Sequence, residues 1–329
     1  MFVSALLVAL CLGLVVSSTL QVYYALKIVP IFNNEPTFKE ETFPVIEWAR
    51  SISIAHPRGY QLRGSLYTHA SGKSEGLILF VPEFDATHYS AWKYCEGLYA
   101  SGYDILSVNF TGQGESDRDP RYRPRFWVGQ REREDLGVVL DAIRENPEWR
   151  SEFTGIFGVS RGAATAFAVV SRRPEIPLLM TEGAYANSQI VERAVRNWMN
   201  FVLPPLLCRV VPLWHIMKTV EFAQLIYQFK TGYWFCDPRR FAANQRTRVL
   251  LMSGSKDRYI PREFTDDLVT RFNVPDAEVC ILEGANHNHG RIVDPVGYDR
   301  RLLSFLRGES ARESGVRRQQ NIMESAPAV

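Results

Sequence analysis

Apolar and polar positions along this chain follow two alternating rhythms. Short apolar runs stand at Gly76–Val81 (GLILFV), Tyr103–Phe110 (YDILSVNF), Thr154–Val159, Leu178–Thr181, Arg248–Ser253 and Glu278–Leu282. Runs of that length and character fill strands buried on both faces of a parallel sheet. Between them lie helical stretches. Gln130–Arg144 sets Leu136, Val139, Leu140 and Ile143 on one stripe. Tyr89–Ala100, Arg161–Arg172, Arg262–Phe272 and a closing segment near Tyr298–Leu306 complete the set. Upstream, Ser51–Ala55 and Gln61–Tyr67 flank the turn His56-Pro57-Arg58-Gly59, a β-hairpin pattern. Strand alternating with helix predicts an α/β fold with an open, mostly parallel central sheet flanked by helices.

Two segments break that rhythm. Met1–Leu26 carries no charged side chain before Lys27, with Tyr23 and Tyr24 near its end. About 20 apolar residues suffice to cross a bilayer, and aromatic residues favour its interfaces. A cleaved signal peptide would carry a positive n-region, and only the terminal amine is present, although Val16 and Ser18 could serve as cleavage-site residues. The expectation is a single-pass membrane anchor, a secreted or periplasmic mature protein being the alternative. The second break is Asn187–Arg246, rich in aromatic, Leu, Ile and Met residues and cut by Pro204-Pro205 and Pro212. It is too long and too apolar for a loop. It reads as an inserted helical cap over the C-terminal edge of the sheet, where open α/β sheets bind ligands. The expected organisation is therefore an anchor or signal at 1–26, a linker at 27–50, an α/β domain at 51–307 with its cap at 187–246, and a disordered tail at 308–329.

Composition narrows the function classes. Of the 329 residues 46% are hydrophobic and 22% charged, which excludes a wholly disordered chain. Lys and Arg total 38 against 36 Asp and Glu, so there is no basic field of the kind nucleic-acid binding uses. The five cysteines are widely spaced without a CxxC pair, which argues against a zinc ribbon or a dense disulfide framework and leaves room for one or two bridges. His287 and His289 have no third ligand nearby, and no metal site is expected. Gly112-Gln113-Gly114 begins like a dinucleotide fingerprint, but Asp117 stands where the third glycine belongs.

The chemistry concentrates at Gly158-Val159-Ser160-Arg161-Gly162, between a predicted strand and a predicted helix. Glycines on both sides of a serine allow a tight strand-to-helix turn that exposes its hydroxyl above the sheet edge. A serine needs a base and an orienting acid to act as a nucleophile. Asp257 follows the strand Arg248–Ser253, and His287 follows the strand Glu278–Leu282. Both arrive at the same sheet edge as Ser160, in the order Ser, Asp, His. His289 competes with His287, because the sequence does not fix where that loop turns. Asp85, Asp104 and Asp141 precede the serine, Asp266, Asp267 and Asp276 lie within or beyond the following helix, and Asp294 lies beyond the histidine.

From about Ser51 to Arg307 the chain resembles an α/β-hydrolase of the serine hydrolase type, in the lipase/esterase and serine aminopeptidase-like branch. The matching pieces are GVSRG at Gly158–Gly162, SGSKDRYIP at Ser253–Pro261, EGANH at Glu283–His287 and FTGQGES at Phe110–Ser116. The resemblance implies Ser160 as nucleophile, Asp257 as orienting acid and His287 as general base. It also implies an oxyanion hole from the N–H of Arg161 and one from the loop after the third strand, by position Phe84. Many family members have His-Gly where Pro82-Glu83 stands here. A glutamate at that place, with Asp85, would disfavour anionic substrates. Arg161 itself either contacts substrate or pairs with a carboxylate on a helix face.

The resemblance implies no cofactor. Serine rather than aspartate at the elbow argues against epoxide hydrolases and haloalkane dehalogenases. The apolar cap and the leading apolar run favour a small-molecule or lipid-like carboxylic ester. Aminopeptidase-like, thioesterase and acyltransferase activities share the same residues, and the cap offers Glu192, Glu221 and Asp237 as few candidates to hold an α-amine. A non-catalytic, membrane-anchored hydrolase-fold binding protein is the alternative from another class, but all three positions of the triad are filled.

Overall fold

The predicted rhythm closes into one eight-stranded sheet. The structure, a computed structural model, describes residues 2–33, 42–70, 72–202, 211–274 and 276–309. Linker positions 34–41, the Pro204-Pro205 stretch and the tail beyond Glu309 lie outside the described residues. The strands are β1 (Arg50–Ala55), β2 (Gln61–Tyr67), β3 (Gly76–Val81), β4 (Tyr103–Val108), β5 (Phe153–Val159), β6 (Leu178–Glu182), β7 (Arg248–Gly254) and β8 (Glu278–Leu282). Their order is β1-β2-β4-β3-β5-β6-β7-β8. The β1–β2 hairpin and the β2–β4 pair are antiparallel, and from β4 to β8 every pairing is parallel.

Side chains of a strand alternate between faces, and here both faces are apolar. Leu77, Leu79 and Val81 of β3 join one core with Ile156, Leu179 and Leu251. Ile78 and Phe80 join the other with Phe157, Met180 and Leu250. The first core is closed by α3 (Gln130–Glu145) through Leu136, Val139, Leu140 and Ile143, and by α5 (Arg161–Val170) through Ala163, Ala166 and Phe167. The second is closed by α2 (Ala91–Ala100) and α10 (Pro295–Arg307), which bring Tyr94, Leu98, Tyr298, Leu302 and Phe305. The remaining helices of this part are α4 (Pro147–Glu152), α8 (Arg262–Arg271) and α9 (Gly290–Val293). The periodicity reading missed α4, although its signal is local. Asn146 accepts from the N–H groups of Glu148 and Trp149 at 3.0 and 3.2 Å, and Pro147 occupies the first turn.

The chain divides into two compact units, Met1–Phe38 with Ser188–Phe235, and Lys39–Asn187 with Cys236–Val329. The leading segment thus groups with the insertion in the smaller unit. In the smaller unit α1 (Phe2–Ile28) runs past Lys27 and gives way to a 3-10 turn at Val29–Asn33. Lys27 lies within the last turn of α1, and Val29 and Phe32 beyond it are buried. Pro30, which has no N–H to donate, falls where the α-helix ends. α1 and this turn pack along α7 (Leu213–Thr231), whose Ile216, Val220, Ala223 and Tyr227 are buried. The Phe32 ring lies 5.4 Å from that of Tyr227 and 5.7 Å from that of Phe235, and Gln21 Nε2 approaches His215 Nδ1 at 3.5 Å. The insertion's other described helix is α6 (Asn187–Val202).

Candidate active site

The elbow follows from steric limits on two glycines. A Cβ at Gly158 would sit 2.8 Å from the backbone of Ala163, and one at Gly162 would sit 2.2 Å from the Val81 carbonyl oxygen. Only glycine lets α5 begin so close to the ends of β5 and β3. Between them Ser160 takes φ 51° and ψ −119°, a strained conformation for a residue with a side chain, costing about 1–3 kcal/mol. Its N–H donates to the Glu182 carbonyl of the neighbouring strand at 2.8 Å.

Three side chains far apart in sequence meet there. Ser160 Oγ donates to His287 Nε2 at 2.8 Å, and His287 Nδ1–H donates to Asp257 Oδ2 at 2.7 Å. The other carboxylate oxygen of Asp257 accepts from the N–H groups of Tyr259 and Ile260, both at 2.9 Å. Ser160 and Asp257 are buried, and the His287 side chain is 11% exposed. The three side chains have the hydrogen-bond connectivity that a nucleophile, a base and an orienting acid would need. His289, the competing histidine, turns its Nδ1 to the carbonyl oxygen of His287, at 2.5 Å.

The loop after β3 bears on the same elbow. The Arg161 guanidinium lies 5.4 Å from the Phe84 ring centroid, and Phe84 meets Phe126 edge to face. The side chains of the two sequence-predicted donor residues, Arg161 and Phe84, thus meet. The Arg161 side chain pairs with Glu132 of α3, and both are buried. Glu132 also accepts from the Tyr122 hydroxyl, and from the N–H of Gly129 at 2.8 Å. Glu83 is buried. Its carboxyl accepts from Ser90 Oγ and Tyr94 OH, both at 3.0 Å, and burial pushes its pKa up.

Sequence reasoning missed Glu132, Glu83 in this bonded role, and Glu182. Glu132 offered one local signal, its place in the first turn of a helix, where an acid suits the helix dipole. Glu182 gave none. The GQGES turn uses Ser116 Oγ to donate to the Asn109 carbonyl at 2.7 Å and to accept from the Arg63 N–H at 2.8 Å, closing the loop after β4. Among the described residues no group of three His, Cys, Asp or Glu side chains is arranged to hold a metal ion. The cysteines Cys11, Cys95, Cys236 and Cys280 are free thiols.

No protein-family model matches the sequence, and no curated protein does. Solved structures do match. An esterase from Pyrococcus furiosus superposes with a TM-score of 0.56 at 17% identity, over 84% of this chain and 97% of its own. An α/β hydrolase from a Penicillium species gives 0.53 at 18% identity, covering 80% of this chain and 99% of its own. The esterase domain of a Rhodothermus marinus protein gives 0.50 at 19% identity, covering 78% and 98%. With the strand order above and a strained serine at the β5–α5 turn, these likenesses identify the chain as a protein of the α/β-hydrolase fold.

Proposed function

We propose that this protein is a serine hydrolase that cleaves carboxylic esters with an acyl or lipid-like portion through an acyl-enzyme. The carrying observation is the hydrogen-bonded series Ser160–His287–Asp257 at a strained elbow. His287 Nε2 takes the Ser160 proton as Oγ attacks the ester carbonyl. Asp257 keeps the other ring nitrogen protonated and favours the imidazolium that forms. The oxyanion accepts from the N–H of Arg161, at the start of α5, and from that of Phe84. His287 then gives its proton to the departing alkoxide. Water, deprotonated by the same imidazole, releases the acid.

An ester with an apolar acyl part is favoured by exposed Trp214, Phe222 and Phe229 on α7 and by the apolar α1. α1 is long and apolar enough to cross a bilayer, a test that a signal sequence also passes. We read it as an anchor. Its exposed part includes Leu6, Leu10 and Leu14, while its buried Ala25 lies in the part beyond Ser18.

A fluorophosphonate probe should label the purified protein at one site, mapped to Ser160, and p-nitrophenyl esters should be turned over with rates that rise with acyl length. Labelling elsewhere, or turnover only of thioesters or amides, rejects the ester reading. Carbonate-washed membranes should retain the full chain. A mature N-terminus at Thr19 in mass spectra would establish a signal peptide instead.

A further inference from the structure

Glu182 ends β6, flanked by Val159 of β5 and Met252 of β7. It is 1% exposed, and a carboxyl at that depth is costly unless it is fully engaged. Its two ends hold opposite halves of the proposed triad. The main-chain carbonyl accepts the N–H of Ser160 at 2.8 Å. On the side chain, Oε1 accepts the N–H of Gly290 at 2.9 Å, and Oε2 accepts the Tyr298 hydroxyl at 2.7 Å. Gly290 follows His287 by three residues, at the close of the turn that carries the imidazole. The next residue on β6, Gly183, lies so near the His287 ring that a Cβ there would stand 3.3 Å from Cε1.

We propose that Glu182 is a positioning residue that fixes the His287 turn against the strand end holding Ser160. The proposal rests on the serine-hydrolase reading. Ser160 is already anchored by its elbow, and Asp257 fixes one nitrogen of the ring. Neither sets how far the 287–290 turn stands from β6. The Glu182 carboxyl does so by bonding the far end of that turn, with Tyr298 of α10 bracing its second oxygen. The groups around this carboxyl are His287 on the turn, Tyr298 on α10 and Lys93 on α2, and burial pushes its pKa up. Proton transfer between Ser160 and His287 depends steeply on placement, and a displacement of about 1 Å can lower a rate by about 10²-fold.

The test is turnover per labelled serine, with fluorophosphonate titration supplying the count of competent sites. Glu182→Ala should lower kcat by about 10- to 100-fold, with KM within about twofold and Ser160 still the labelled residue. Glu182→Gln, which keeps an oxygen for the Gly290 N–H, should recover most of that loss. Tyr298→Phe removes only the brace and should show a smaller fall in kcat. It also serves as the decisive variant if Glu182→Ala does not fold. A purely structural role would lower the melting temperature and the yield of labelled sites while leaving kcat per site unchanged, and that result overturns the proposal. A glutamine variant as impaired as alanine would also overturn it. Should Ser160→Ala retain hydrolysis, the serine-hydrolase reading fails first. Should Ser160 be the labelled nucleophile and both Glu182→Ala and Tyr298→Phe turn over normally, only the role of Glu182 fails.

Discussion

The sheet unit and the helical unit treat apolar residues in opposite ways. In the sheet unit Leu77, Ile78, Leu79, Phe80 and Val81 are consecutive and all buried, because helices cover both faces of β3. In the helical unit α1 buries Ala25 while Leu6, Leu10 and Leu14 remain 60–66% exposed. α7 is similarly divided, with Ile216, Val220 and Tyr227 buried and Trp214 and Phe229 66% and 71% exposed. One unit buries its strands' apolar side chains in two cores, one on each face of the sheet. The other leaves large apolar side chains of α1 and α7 exposed, and α1 is long and apolar enough to cross a bilayer, a test that a signal sequence also passes. Catalytic geometry calls for the first kind of environment, and the proposed triad of Ser160, Asp257 and His287 belongs to that unit.

The largest expected effect breaks the chemistry alone. Ser160→Ala should lower kcat by about 10³-fold or more, with circular dichroism and melting temperature near those of the parent. Retained hydrolysis would remove the sheet unit's claim to the chemistry. Next come substitutions that expose the cost of dense packing. Phe157 is fully buried between Phe80 and Tyr298, so Phe157→Ala should cost about 3–5 kcal/mol in urea unfolding. Glu132→Ala should cost a similar ~3–5 kcal/mol, because it leaves the buried Arg161 cation without its carboxylate.

Phe32→Ala sharpens the contrast from the other side. It should speed amide exchange in α7 and leave the slow amides of β3 and β5 unchanged, with short-chain ester turnover within about twofold of the parent. Equal loosening of both units would show that they unfold as one. The smallest effect is one of pH. Burial raises the Asp135 carboxyl to about 7, while burial lowers His56, which lies 3.4 Å away. A folded carboxyl that holds its proton more tightly than the unfolded one stabilises most below the unfolded value, near pH 4. That contribution is lost as pH rises toward 7, at no more than about 1.4 kcal/mol per pH unit. The neutral, buried His56 acts oppositely, costing stability as pH falls below its unfolded value. Asp135→Asn keeps an acceptor for Thr111 and should flatten the decline between pH 5 and 7. An unchanged slope in urea midpoints would show that Asp135 is ionised throughout that range.

How much was legible depends on the separation of the interacting residues. The strand sequence, the elbow and the Ser, Asp, His order could be read because each rests on neighbours: alternation along a strand, a helical stripe, glycines beside a serine. Parallel strands bring every loop after a strand to one sheet edge, so chain order alone aimed Asp257 and His287 at Ser160. The choice between His287 and His289 needed the loop, where His289 turns to the His287 carbonyl. The missed helix α4 was an oversight of scale, since six residues are too few for periodicity although its cap was visible.

The sequence by itself determined which segments are strands and helices, at which edge of the sheet Ser160, Asp257 and His287 gather, and which residue types stand there. Those are consequences of local sterics and of the period with which side chains leave the backbone. Only the tertiary structure decided that Arg161 is paired with Glu132, that Glu83 is bonded to Ser90 and Tyr94, and that Glu182 links the Ser160 backbone to the His287 turn. It also decided that α1 packs along α7. Each of those pairs joins positions on different elements, and whether they meet is set by strand register and helix packing. A buried carboxylate announces itself only when the partner that justifies its burial arrives from another part of the chain.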